Sequence, residues 1–155
     1  MAGFTNRGKM RMLEMVFRNQ FNGGNFPNSF YVVLLDNATT ISPDTKTMTE
    51  VNEIATGNGY NSGGIALQRN STDFDILSED DIKDTGSVQA KDITWTATGG
   101  PIPSSGNPIR YLAITDDNPV VSSREIIAYK DLGEDITISA GGSLTIKDIT
   151  LTLEE

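Results

Sequence analysis

Eight short runs rich in Ile, Val, Thr and aromatic residues recur along this chain, most of them separated by clusters of Gly, Asn, Asp, Ser or Pro. They are "SFYVVLLD", "GGIALQRN", "FDILS", "SVQAKDITWTA", "IRYLAIT", "REIIAYKDL", "DITIS" and "SLTIKDITLTL". β-Branched and aromatic side chains fit a pleated, half-buried surface, and the intervening clusters "NSGG", "TGGPIPSSGNP", "DDNP", "LGED" and "AGGS" are turn chemistry. Short strands at this density predict an all-β chain, a β-sandwich or jelly-roll-like fold. "SFYVVLLD", Ser29–Asp36, is continuously apolar, as a strand covered on both faces must be.

Two of these runs carry nearly the same phrase, "QAKDITWTA" at Gln89–Ala97 and "TIKDITLTL" at Thr145–Leu153, with "EDITIS" at Glu134–Ser139 as a looser echo. In the first, Val88 and Ala90 alternate, then Ile93, Trp95 and Ala97 alternate in the opposite parity. In the second, Leu144 and Ile146 give way to Ile149, Leu151 and Leu153 with the same slip. Lys-Asp absorbs one extra residue each time, which keeps the apolar set on one face only if a bulge bends the strand there. The expectation is two long, bent strands, neighbours in one sandwich, with Trp95 in the core. The flanking residues do not match, so convergence on a common bend explains the echo better than an internal repeat.

One segment reads as helix. In "NRGKMRMLEMVFRNQ", Met10, Leu13 and Phe17 share a face, Met12 and Val16 flank it, and Glu14 and Arg18 stand four apart in the favourable order. A second, short helix is expected at Met48–Ala55, stopped by the Gly57-Asn58-Gly59 turn. The organisation that follows is a helical, basic segment over residues 1–20 and a single β-sandwich domain over 21–155. The 155 residues are enough to bury roughly 70% of the unfolded surface in one domain, without staples.

The net charge of −9 is unevenly placed: Arg7, Lys9, Arg11 and Arg18 against Glu14 leave the first 18 residues at +3 and the remainder at −12. Phosphate repulsion argues against nucleic acid as a partner of the body. No run approaches the roughly 20 apolar residues of a membrane span, and the N-terminus lacks a secretory pattern. Cys and His are both absent. That removes Ser–His–Asp and Cys–His nucleophilic chemistry and His-ligated metals, and it fits synthesis in a reducing cytoplasm.

The densest acidic stretch, "STDFDILSEDDIKD", has neither the Gly nor the terminal Glu of an EF-hand loop, and reads better as turn and strand-edge charge than as a Ca²⁺ site. "GNGYNSGG" lacks the Lys-Ser/Thr of a phosphate-cradling loop. No carboxylate pair stands out for glycoside hydrolysis. The expectation is a protein that is not an enzyme, with no cofactor and no metal.

The phrases "FTNRGKMRMLEMVFRN", "PNSFYVVLL", "NEIATGNGYNSGGIALQRNSTDFD" and "KDITWTATGGPIPSSGNPIRYLAITDDN" together resemble small virion proteins of tailed bacteriophages, from about Phe4 through Asn118. The resemblance implies a capsid decoration, or cement, protein. It would be made in the bacterial host cytoplasm and mounted on the outer surface of the expanded head. Its partners would be the major capsid protein and copies of itself, as a trimer. A tail-associated fibre or baseplate module that binds a host receptor is the alternative, disfavoured by the short, aromatic-poor chain. The residues expected to make capsid or intersubunit contacts are Arg7, Lys9, Met10, Arg11, Met12 and Phe17 in the basic leader. Pro101 and Pro103, in the loop Gly99–Pro108, are the second set. Met10, Met12 and Met15 offer adaptable apolar surface, suited to an interface or to core packing.

Overall fold

The computed structural model describes residues 2–154, and it is all-β with one helix near the N-terminus. In chain order the elements are β1 (Gly3–Phe4), α1 (Asn6–Arg18), β2 (Ser29–Asp36), β3 (Ile65–Gln68), β4 (Ile76–Asp80), β5 (Thr85–Ala90), β6 (Ile93–Thr96), β7 (Ile109–Thr115), β8 (Ile126–Ile136), β9 (Ser143–Ile146) and β10 (Ile149–Glu154). Every pairing between named strands is antiparallel. A five-stranded sheet runs β1-β8-β7-β2-β3, a three-stranded sheet β10-β5-β4, and β6 pairs with β9 alone.

The repeated phrase accounts for the second wall of the sandwich. β5 pairs with β10 and β6 with β9, so the two copies are each other's partners. The last rung before the break is Ala90–Ile149 and the first after it is Ile93–Ile146. Lys91-Asp92 therefore lies opposite Lys147-Asp148, and both strands leave the ladder together. The expected one-sided bulge is instead a shared kink, at which a long two-stranded ribbon passes from one sheet into the next. The parity slip does what its pattern required: Ala90, Ile93, Trp95, Ala97, Ile146, Ile149 and Leu151 all reach the main core. The outward rungs join hydroxyls, Thr94 with Thr145 at 2.8 Å and Thr96 with Ser143 at 2.9 Å.

β2 is covered on both faces, as its sequence demands. Val32 and Leu34 point into the main core with the ribbon, while Val33 and Leu35 join Met48, Ala113 and Ile126 in a smaller cluster on the other side. The segment between β2 and β3 supplies that outer cover. It also contains the expected second helix, which is reduced to a single 3-10 turn at Met48–Glu50 capped by Thr47. Beyond it Val51 is extended, and Asn52 and Ile54 bond to Asp36 and Leu34 at the end of β2. Strand-like pairing to an apolar edge thus outcompetes a helix too short to nucleate by itself.

"LGED" is likewise not a turn. β8 runs straight through it, and the register against β7 jumps from Tyr111–Asp131 to Ile109–Ile136. The excess residues bulge at Gly133, whose φ of 86° is natural only for glycine.

The two copies of the kink differ in backbone conformation. Asp148 has φ 53°, a left-handed conformation that costs a side-chain-bearing residue about 1–2 kcal/mol, whereas Asp92 is not among the positive-φ residues. Replacing Asp148 with Val is expected to lower unfolding free energy by about 1–2 kcal/mol, since a β-branched residue tolerates that region worst, while Asp92→Val stays within about 0.5 kcal/mol. Urea titration of the two variants measures both, and equal losses would exclude a conformational origin.

Candidate contact surface

The helix is seated by what precedes and what faces it. Thr5 is fully buried, caps the helix by accepting the Gly8 N–H at 2.9 Å, and donates its own hydroxyl to the Ile126 and Ile127 carbonyls of β8. Gly8 lies so close to the Ile127 carbonyl that a Cβ there would overlap it. Glycine is thus required for the approach of helix to strand.

Arg11 completes the seat. Its Nε donates to Glu125 Oε2 at 2.6 Å and its Nη2 to Glu125 Oε1 at 2.9 Å, a bidentate fork. Further bonds reach Glu14 at 2.7 Å and Asn22 at 2.6 Å, and the guanidinium sits 5.6 Å from the Phe21 ring centre. Arg7 adds a third bond to Glu125 at 2.8 Å. The Glu125 bond, ahead of all other influences, holds Arg11 more firmly protonated than a free arginine. Glu14 is held below the usual carboxylate range by the Asn22 N–H and then by Arg11. It therefore pairs with Arg11 and not with Arg18, the partner expected from the i,i+4 spacing.

This seat determines which way the helix faces. Gly8 and Arg11 are buried, Met12 and Met15 pack against the core, and Met10, Leu13, Val16 and Phe17 are exposed at 46%, 59%, 74% and 77%. The apolar stripe legible in the sequence points away from the body. Lys9 and Arg18 are exposed at its borders.

The other expected contact residues separate clearly. Met12 lines an apolar groove of about 430 Å³ with Met15, Phe21, Phe30, Phe74 and Val88, between the inner helix face and β5. Phe30 and Phe74 meet there edge to face at 6.2 Å. Arg7 and Arg11 are committed to Glu125 within the chain. Pro101 is exposed, but its carbonyl accepts from Asn58 at 2.8 Å. Pro103 is buried beside Ile102, which exchanges backbone bonds with Ile138. The outward set is therefore Lys9, Met10, Phe17 and Pro101, to which the structure adds Leu13, Val16 and Arg18.

A second exposed apolar patch has no counterpart in the sequence expectations. Leu77 of β4 is 84% exposed, Ile82 at the β4–β5 tip is 95% exposed, and Leu153 of β10 lies nearby on the same face as Leu77. Exposed Glu79, Asp81 and Asp84 surround them.

Within the acidic stretch, Asp73 is paired with Lys91 and accepts the Gln68 N–H at 2.7 Å, and Asp80 accepts two N–H groups at the hairpin tip. Among the described residues no three His, Cys, Asp or Glu side chains converge as a metal-holding group. No family model, curated protein or solved structure matches the chain.

Two measurements test this geometry. Phe17→Ser is expected to change unfolding free energy by less than about 0.5 kcal/mol, whereas Gly8→Ala lowers it by about 1–3 kcal/mol despite alanine's better helix propensity. A larger loss from Phe17→Ser would place that ring in the core.

Acid titration tests the charges. Glu14, Asp73, Asp80 and Asp131 all sit below their ordinary values, through N–H donors and cationic partners. Each stabilises the fold above its unfolded pKa of about 4 and loses that contribution as pH falls through its lower folded value. Asp116, raised chiefly by burial, acts oppositely: its contribution is present below its unfolded pKa and lost as pH rises through its folded value. With four groups against one, stability is expected to fall below about pH 4, and Asp73→Asn to flatten that slope.

Proposed function

We propose that this chain is a non-enzymatic decoration, or cement, protein of a tailed-bacteriophage capsid. It binds the outer surface of the expanded head as a homo-oligomer, a trimer, and contacts the major capsid protein. The observation that carries this reading is the outward apolar stripe Met10, Leu13, Val16 and Phe17, bordered by Lys9 and Arg18 on a helix anchored through Arg11 to Glu125. A soluble domain gains nothing from a rigidly held helix with apolar residues on both faces unless a protein surface covers the outer one. The resemblance of the N-terminal and central phrases to phage virion proteins supplies the kind of surface.

The mechanism is linkage. A protein that binds only the expanded shell stabilises that shell by its own binding free energy. Repeating the contact around a local axis turns modest patches into tight attachment, because each further contact forms at high effective concentration. Such a device needs complementary surface and no reacting group.

Immunogold electron microscopy of intact particles, with antibody against the purified chain, tests the reading. Gold distributed over the head is expected. Gold confined to the tail would replace it with the receptor-binding module, and unlabelled particles would refute a virion role.

A further inference from the structure

We infer that two copies of this chain bind each other heterologously, the outer face of α1 of one copy against the β4–β5 hairpin of the next. The two exposed apolar patches are complementary in charge. On the helix, Leu13, Val16 and Phe17 lie between the exposed cations Lys9 and Arg18. On the hairpin, Leu77, Ile82 and Leu153 lie among exposed Glu79, Asp81 and Asp84. Arg7 and Arg11, the other cations of the helix, are spent on Glu125, and Lys83 lies 3.5 Å from Asp80. The charges left over are positive on one patch and negative on the other.

The hairpin also offers a hollow. On the hairpin face that carries Leu77, the rung Glu79–Gly86–Leu153 has no side chain at its centre, and the space over Gly86 is open. A protruding aromatic such as Phe17 fills a hollow of that kind, while a helix laid along the strand edge covers Leu77 and Ile82.

One molecule cannot satisfy both patches by itself. Thr5, Gly8 and Arg11 pin α1 to β8 with Met12 and Met15 inward, so the stripe faces away from its own body. A patch that differs from the patch it binds makes a head-to-tail contact, and each copy keeps one helix and one hairpin for further neighbours. Such a contact closes a ring where its rotation returns to the start, and extends a filament where it does not. The proposal rests on the homo-oligomer proposed above, assigns the outward stripe to the contact between copies, and does not depend on where in a particle the chain sits.

Sedimentation velocity of the full chain over rising concentration tests it, with Phe17→Asp and Ile82→Lys as the variants. The unmodified chain is expected to self-associate, less strongly as salt screens the charges. Each variant alone should weaken association by roughly tenfold or more. An equimolar mixture of the two should recover a one-to-one complex, because one partner retains its hairpin and the other its helix face. Leu13→Ser and Leu77→Ser, with melting curves, replace any variant that fails to fold. A chain that stays monomeric throughout, as a helix reserved for an unrelated partner would leave it, overturns the proposal. So does a hairpin variant that associates as well as the unmodified chain, which would mean helix against helix, and so does a mixture that does not complement. Sedimentation reads the contact between copies and immunogold reads location, so failure of this contact and failure of the virion reading are distinguishable.

Discussion

The fork between Arg11 and Glu125 decides how this molecule presents itself. A buried ion pair contributes little net stability compared with apolar residues of similar volume, but separating its members is costly, because each charge is then left without a partner in a poor solvent. It therefore acts as a registration device. With Arg11 held inward at Glu125, the rotation of α1 is fixed, and the side chains opposite it on the helical wheel must face solvent. Met10, Leu13 and Phe17 are outside because Arg11 is inside. The groove behind the helix is the same fact seen from the core, with flexible Met12 and Met15 occupying the inner face where a better-filled helix would place branched aliphatics.

What could be read from the residues follows their range of action. Strand identity depends on period-2 patterns a few residues long, so the β class, the doubly buried Ser29–Asp36 and the inward Trp95 were all legible. The parity slip at Lys-Asp was legible as a bend, because a jump of three in a period of two has few geometric solutions. That the two slips sit opposite each other was only an inference, since pairing is set by contacts far apart in sequence. Met48–Ala55 and "LGED" failed for a related reason. Both carry local signals for helix or turn, and in both the bonding opportunities of a neighbouring strand outweigh them.

The contact residues divide along the same line. Composition located the basic, methionine-rich leader, and the structure leaves Lys9, Met10 and Phe17 outward there. Arg7 and Arg11 could not be recognised as internal, because their partner Glu125 is more than a hundred positions away and no local pattern announces it. Pro103 looks like a surface-loop proline until Ile102 and Ile138 fasten that loop to the body. The hairpin patch was invisible for a different reason. Leu77 lies in a run that reads as an ordinary strand, and only the sheet order makes that strand an edge with little above it.

The shared kink restricts how such a chain can change over time. Ala90–Ile149 and Ile93–Ile146 bracket two residues on each strand, so the ribbon stays in phase only while both strands carry the same excess. Loss of a single residue from one Lys-Asp would turn every side chain on one side of the break to the opposite face, Trp95 among them. The matching loss from the other strand would put the partners back in step, but in a straighter ribbon that no longer follows the core. Insertions and deletions are therefore coupled between two sites that lie far apart in the sequence and adjacent in space. Geometry alone is then enough to keep the two phrases alike.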